Sequence, residues 1–158
     1  MINKKLLNPG SVVVIGGSDD VSKPGGAVLR NLLASSFKGS VHVVNPKSEL
    51  VQGIKTVPSV SDLPPVDLAI FAIPARLCTE AVKVLATEKG TGGFIILSAG
   101  FSEESKEGAR IEREIASLIN STGGSLIGPN CIGFLNNNYN GAFTRPVPEL
   151  DPMGIDFI

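Results

Sequence analysis

Tryptophan is absent from this sequence of 158 residues, which contains only one tyrosine, one histidine and two cysteines. Two cysteines are too few for a disulfide framework, so we expect an intracellular, reducing compartment. One histidine cannot supply a histidine metal cluster, and His42 lies inside an apolar segment, which does not suit a catalytic triad. No carboxylate pair is placed for acid–base chemistry either. The sequence therefore predicts no catalytic residue and no metal ligand.

The sequence also has no large excess of charge of either sign, since it contains 14 Lys and Arg residues and 15 Asp and Glu residues. This balance gives no electrostatic reason to expect nucleic acid or a membrane surface as a partner. The longest apolar run, residues 68–75, is far shorter than the ~20 residues of a membrane-spanning helix. The amino terminus lacks the apolar region of a signal peptide. We expect a soluble, cytoplasmic protein.

Short apolar segments recur along the chain at intervals typical of βαβ units. They are continuous rather than alternating and mostly β-branched or aromatic, which predicts strands that are buried on both faces. The predicted strands span residues 12–15, 41–44, 68–73, 94–97 and 126–127.

Helical periodicity occupies three of the gaps between these strands. The predicted helices span residues 26–36, 75–89 and 102–120, the last with Ser102 as its N-cap. The proline-containing gap 46–65 predicts a short extended piece at Thr56-Val57 and a turn of helix near Ser61. The alternation predicts an α/β fold with a doubly wound, mostly parallel, Rossmann-like sheet and helices on both faces.

Doubly wound sheets bind ligands beyond the carboxyl ends of their strands, so the residues that follow each strand are the candidates for function. Four glycines lie in residues 16–26, after the first strand, where backbone N–H groups can approach a phosphate. The spacing is not G-x-G-x-x-G, and a flexible loop is the alternative interpretation. After the second strand comes Lys47, where an NAD site usually has an acidic residue. A cation there fits a ribose phosphate, as in NADP or coenzyme A (CoA). A solvated surface lysine is the alternative interpretation, and the position of Lys47 after the strand favours the phosphate.

The remaining strands end in small or apolar residues. Ile73-Pro74 offers an apolar edge for an adenine ring, and Ser98-Ala99 leaves room for a ligand across the strand end. Cys131 follows the fifth strand and is more often a packing residue than a reactive thiol, while Cys78 is expected to be structural.

Several of these motifs occur together, in the same order, in a known family. They are residues 7–18 (LNPGSVVVIGGS), 44–47 (VNPK), 57–60 (VPSV), 73–75 (IPA), 97–101 (LSAGF) and 128–133 (GPNCIG). With them the chain resembles the N-terminal CoA-binding domain of NDP-forming (ADP-forming) acyl-CoA and acetyl-CoA synthetases. That superfamily also contains the α subunit of succinyl-CoA synthetase.

The resemblance implies a set of CoA contacts in this chain. The first loop would hold the phosphates and adenosine, Lys47 would contact the ribose phosphate, and the later strand ends would line the adenine and the pantetheine arm. Asn130 would lie near the thiol. The full set is Gly16, Ser18, Asp19, Asp20, Val21, Lys47, Ile73, Pro74, Leu97, Ser98, Ala99 and Asn130.

The resemblance also implies a larger enzyme that makes acyl-CoA, ADP and phosphate from a carboxylate, CoA and ATP. An acyl-phosphate and a phosphohistidine would be its intermediates, and His42 does not match that histidine. ATP and Mg²⁺ would bind only in ligase and ATP-grasp domains, or a subunit, outside this chain, so the fragment alone would be non-catalytic. Ser98-Ala99-Gly100 replaces the Thr-Glu-Gly of succinyl-CoA synthetases, which favours the acetate and acyl branch.

The domain boundaries follow from the same resemblance. Residues 1–145 would form the CoA-binding domain, and residues 146–158 would be a linker and the first strand of a truncated second, ligase domain.

Two other functions remain open at this point. The first is an NADP-binding Rossmann domain of an oxidoreductase, which Lys47 permits and the missing G-x-G-x-x-G disfavours. The second is a stand-alone regulator that senses CoA or a nucleotide. This sequence does not distinguish a true synthetase from a protein in which the same architecture is fused to an acetyltransferase.

Overall fold

Seven strands form one sheet in the computed structural model of the chain, which describes residues 2–144. They are β1 (Ser11–Ile15), β2 (Ser40–Val44), β3 (Leu50–Val51), β4 (Ile54–Val57), β5 (Leu68–Phe71), β6 (Gly93–Ile96) and β7 (Ser125–Ile127). Their order is β3-β4-β2-β1-β5-β6-β7. All neighbours are parallel except β3 and β4, which form an antiparallel hairpin.

Helices cover both faces of this sheet. They are α1 (Lys4–Leu7), α2 (Pro24–Ala34), α3 (Cys78–Thr87) and α4 (Lys106–Ser121). Buried residues of α3 and α4 form a core on one face, and buried residues of α1 and α2 form a second core on the other. The predicted α/β, doubly wound fold with helices on both faces is therefore confirmed.

The central strands are apolar throughout because both of their faces are covered. All residues of β5 and β6 are buried, as are the last four residues of β1. On the α3–α4 face, Phe71 and Phe94 stack with ring centroids 6.5 Å apart. A continuous apolar run, without a polar partner at every second position, is the pattern expected for such strands.

The two ends of the described chain are joined by hydrogen bonds. The Tyr139 hydroxyl donates to Leu6 O at 2.8 Å, and Asn136 Nδ2 donates to Leu7 O at 2.8 Å. Burial raises the pKa of Tyr139, so its hydroxyl stays protonated and keeps its role as donor. The short helix α1 is thus tied to the segment that follows β7.

All five predicted strands are present, and the extended piece and helical turn are confirmed as β4 and a 3-10 helix at Val60–Asp62. The strand predicted at residues 68–73 ends at Phe71, where Ile73-Pro74 begins the turn into α3. Two elements, α1 and β3, were not predicted. The segment 146–158 assigned to a second domain lies outside the described residues.

The predicted start of the last helix is wrong. Its N-cap is Ser105, whose Oγ accepts a hydrogen bond from Gly108 N at 2.9 Å. The three residues before it form a turn, because the Glu103 carboxylate accepts hydrogen bonds from Gly100 N at 2.7 Å and Phe101 N at 3.2 Å. Those bonds delay the helix by one turn.

This correction can be tested by two matched substitutions. Ser105→Ala removes the oxygen that caps α4, so we expect a loss of about 1 kcal/mol in the free energy of unfolding. Ser102→Ala removes a hydroxyl of another exposed serine, one that does not cap the helix, and it should leave stability unchanged. Urea denaturation of both variants measures the difference. A larger loss for Ser102→Ala would contradict the assigned cap.

Candidate functional site

The chain leaves the carboxyl ends of β1, β2, β5, β6 and β7 in five segments, all at the same edge of the sheet. We call this surface the carboxyl edge; it comprises residues 16–23, 45–48, 72–74, 97–101 and 128–131. The winding of the sheet reverses between β1 and β5, since β2 lies on one side of β1 and β5 on the other. Such a reversal creates the crevice in which doubly wound folds bind ligands.

Backbone hydrogen bonds hold the first residue of several segments in the plane of the sheet. The bonds are Gly16 N to Val44 O at 3.0 Å, Ala72 N to Ile15 O at 2.9 Å and Leu97 N to Phe71 O at 3.0 Å. The strand ends are therefore rigidly placed, and the segments diverge only beyond them.

The glycine loop, residues 16–23, is packed tightly between β5 and α2. Gly16 has a φ of +85°, and a Cβ there would lie 2.6 Å from Ala72 O. A Cβ at Gly25 would lie 2.2 Å from Gly16 O. Glycine at these positions lets the first turn of α2 contact the end of β1. The positive end of the α2 dipole is thereby brought to the loop.

The loop contains two acidic residues, and both are exposed and hydrogen-bonded within the protein. Asp20 Oδ1 accepts a bond from Ser22 N at 3.0 Å, and Asp20 Oδ2 lies 3.4 Å from Lys23 Nζ. Hydrogen bonds from Ser22 lower the pKa of Asp20. Asp19 Oδ1 accepts a bond from Gln52 N at 2.7 Å.

Donors remain available in the same loop. The N–H of Asp20 is already used, because it donates to Ser18 Oγ at 3.0 Å. Val21, the next residue, is half-buried. The N–H groups of Ser18 and Asp19 form no hydrogen bond within residues 2–144. An acceptor from outside the chain can therefore bind to this part of the loop.

Asn45 connects the loop to Lys47. Its Nδ2 donates to Gly17 O at 2.9 Å, and its Oδ1 accepts from Lys47 N at 2.8 Å. Lys47 is exposed and forms no ion pair with any described residue. One side-chain amide thus joins the backbone of the glycine loop to the backbone of Lys47, whose exposed side chain carries the positive charge.

Ile73 and Pro74 lie where the winding of the sheet reverses. Ile73 is half-buried against the α3–α4 core, and Pro74 is exposed. The thiol of Cys78 packs beneath them, 3.8 Å from Ile73 O and 3.7 Å from Pro74 O. Burial raises the pKa of Cys78 to about 12, in agreement with the predicted structural role.

The exits of β6 and β7 are joined by a hydrogen bond from Asn130 N to Ser98 O at 3.0 Å. Asn130 is exposed with a φ of +53°, and Ala99 is also exposed. Leu97 is only 5% exposed, so its side chain belongs mainly to the core. The thiol of Cys131 is partly buried, which raises its pKa, and it donates to Ile96 O at 3.4 Å. These facts favour a packing role for Cys131.

The structure brings the predicted site residues to one edge, and it adds two that the sequence did not suggest. Glu103 fixes the turn after β6, and hydrogen bonds from its own N–H and those of Gly100 and Phe101 lower its pKa. Gln52 reaches the glycine loop from the β3–β4 hairpin. No sequence motif marks either residue, because each acts across a turn or between distant segments.

Other kinds of site are not found among the described residues. They contain no group of three His, Cys, Asp or Glu side chains that could hold a metal ion. No helix in the same part of the chain is long and apolar enough to cross a membrane.

Comparison with known proteins identifies the family. A family model described as a CoA binding domain matches residues 10–137. The chain is 40% identical over 149 residues to acetate–CoA ligase (ADP-forming) I of Archaeoglobus fulgidus, a match that covers 92% of this chain and 21% of that protein. It is also 40% identical over 136 residues to the α subunit of acetate–CoA ligase (ADP-forming) II of Pyrococcus furiosus, covering 85% of this chain and 29% of the subunit.

A solved structure shows the same relationship. Acetyl-coenzyme A synthetase 1 of Ca. Korarchaeum cryptofilum, in complex with phosphate and ADP, matches with a TM-score of 0.80 and 33% identity. The match covers 89% of this chain and 30% of that one. The chain therefore spans less than a third of the length of each of these relatives. It belongs to the CoA binding domain family, as the motifs along its sequence indicated, and the two sequence relatives described above are ADP-forming acetate–CoA ligases.

Proposed function

We propose that the carboxyl edge binds coenzyme A and that this chain is the CoA-binding part of a larger ADP-forming acyl-CoA synthetase. The observation that carries the proposal is the pair of bonds made by Asn45, which joins the backbone of Lys47 to the glycine loop at Gly17. A cation next to free N–H groups and a helix N-terminus suits a ligand with several phosphates. The family match supports CoA over other phosphate-bearing nucleotides.

Each part of CoA has a complementary surface in this arrangement. The diphosphate takes the N–H groups of Ser18 and Asp19 at the positive end of α2, and the 3′-phosphate pairs with Lys47. The adenine ring lies on the apolar edge formed by Ile73 and Pro74. Contacts with adenosine from Gly16, Asp20 and Val21 complete this half of the site.

The pantetheine arm crosses the joined exits of β6 and β7 in this proposal. Ser98 and Ala99 line its path with small side chains, and Leu97 contributes the small part of its surface that is exposed. Asn130 is exposed at the end of that path, where its amide can contact the thiol.

The chemistry of the whole enzyme would take place in other domains. We propose that they bind ATP and Mg²⁺, form the acyl-phosphate and carry the phosphohistidine, while this chain presents the CoA thiol. His42 is half-buried within β2 and not on the carboxyl edge, and burial lowers its pKa. It is therefore placed for packing and not for phosphoryl transfer.

Calorimetric titration with CoA, NADP and NAD tests the ligand class. We expect binding of CoA only, because the glycine loop lacks the G-x-G-x-x-G spacing of a dinucleotide site. Binding of NADP in preference to CoA would instead support an oxidoreductase domain. A chain that binds none of the three would contradict the proposed site.

Substitution of Lys47 tests the position of the 3′-phosphate. Lys47→Ala should weaken CoA binding by about tenfold and dephospho-CoA binding much less, because only CoA carries that phosphate. Lys38→Ala is the matched control, since Lys38 is an exposed lysine that precedes β2 at the opposite edge of the sheet. Equal losses for both ligands would show that Lys47 has a different role.

The assignment of catalysis to other domains is tested by turnover. The chain incubated with acetate, ATP, Mg²⁺ and CoA should form no acetyl-CoA, as measured by chromatography. Acetyl-CoA produced in proportion to the amount of chain would overturn this part of the proposal.

A further inference from the structure

Gln52 occupies the turn of the β3–β4 hairpin, on the side of the sheet next to β2. The turn consists of Gln52 and Gly53, whose φ angles are +47° and +80°. Two consecutive positive φ angles are typical of a type I′ turn, which favours Asn, Asp or Gly at its first position. Glutamine is therefore not explained by the turn itself.

The side chain of Gln52 leaves the hairpin and contacts the glycine loop. Its Nε2 donates to Ser18 O at 2.7 Å and to Gly26 O at 2.9 Å, so both amide hydrogens are used. Its backbone N donates to Asp19 Oδ1 at 2.7 Å. Gln52 thus holds the loop at one residue and the start of α2 at another.

These bonds determine which polar groups of the loop remain free. A carbonyl oxygen repels a phosphate, whereas an N–H group binds it. Gln52 takes the carbonyl of Ser18, and Asn45 takes that of Gly17. The N–H groups of Ser18 and Asp19 have no partner within residues 2–144. Two side-chain amides from neighbouring segments therefore occupy the carbonyls of a loop whose N–H groups stay available.

Gln52 also fixes the position of the Asp19 carboxylate. An acidic group beside a diphosphate opposes binding unless it is turned away or hydrogen-bonded. The bond from Gln52 N holds Asp19 toward the hairpin.

We propose that Gln52 is a positioning residue for phosphate binding: its amide fixes the carbonyls of Ser18 and Gly26 so that the loop presents N–H groups to the diphosphate of CoA. The inference rests on the proposed function of the carboxyl edge. Gln52 itself need not touch the ligand.

Two substitutions test this role. Gln52→Gly removes the amide and places glycine, which adopts a positive φ without strain, at this position. The variant should therefore stay folded, with a melting temperature within a few degrees of the original. Gln52→Met keeps the length of the side chain and removes both donors. Each should weaken CoA and dephospho-CoA by the same factor, about tenfold, because both ligands carry the diphosphate. This pattern differs from that of Lys47→Ala, which separates the two ligands.

The control is Lys55→Met, an exposed residue of the same hairpin. It should change neither affinity. Amide hydrogen exchange provides a readout without ligand: residues 16–23 should exchange faster in both Gln52 variants and at the original rate in Lys55→Met.

The outcomes separate this inference from the function on which it rests. Unchanged affinity in folded Gln52→Gly, or unequal losses for the two ligands, would overturn the role of Gln52 and leave CoA binding intact. The same loss of affinity in Lys55→Met would show that any change in the hairpin weakens binding, and it would also overturn the role of Gln52. If the original chain does not bind CoA, the proposed function fails. Independently of CoA binding, an unchanged rate of amide hydrogen exchange in residues 16–23 of both Gln52 variants would refute the role of the Gln52 contact.

Discussion

The contact between the first turn of α2 and the end of β1 sets the geometry of the whole carboxyl edge. A Cβ at Gly25 would lie 2.2 Å from Gly16 O, and one at Gly26 would lie 2.1 Å from Asp20 O. The helix can approach the loop this closely only because both positions are glycine. The positive end of the α2 dipole is thereby brought beside Gly16 and Ala72, at the exits of β1 and β5, where the winding of the sheet reverses.

Polar contacts between distant segments keep this edge in one arrangement. Asn45 joins the exits of β1 and β2, and the bond between Asn130 and Ser98 joins those of β6 and β7. The carboxylate of Glu103 fixes the turn between β6 and α4. A surface held in this way needs little ordering when a ligand binds, so less of the interaction energy is lost to conformational entropy.

The strands and their mostly parallel, doubly wound arrangement could be predicted from the sequence, since continuous apolar runs mark strands covered on both faces. The carboxyl edge is the candidate site because ligands bind beyond the ends of such strands. The elements that were missed depend on tertiary contacts. The four residues of α1 form a helix because Asn3 caps it and Tyr139 binds it, and β3 exists only as the partner of β4. The sequence predicts the start of α4 at Ser102, but the Glu103 carboxylate accepts hydrogen bonds from Gly100 N and Phe101 N and forms a turn there instead. Gln52 lies in no motif, because its amide contacts a loop more than thirty residues away.

The hydrogen bond between Tyr139 and Leu6 spans 133 residues, and it has a consequence for synthesis on the ribosome. Synthesis proceeds from the amino terminus, so Leu6 emerges early and its partners at Asn136 and Tyr139 emerge among the last of the described residues. Leu6 is fully buried in a core that includes residues of β1, α2, β5 and β6 as well as Phe134 and Tyr139, so this core is complete only when the last two arrive. We expect the nascent chain to complete its packing in one late step, after nearly all of residues 2–144 have left the exit tunnel.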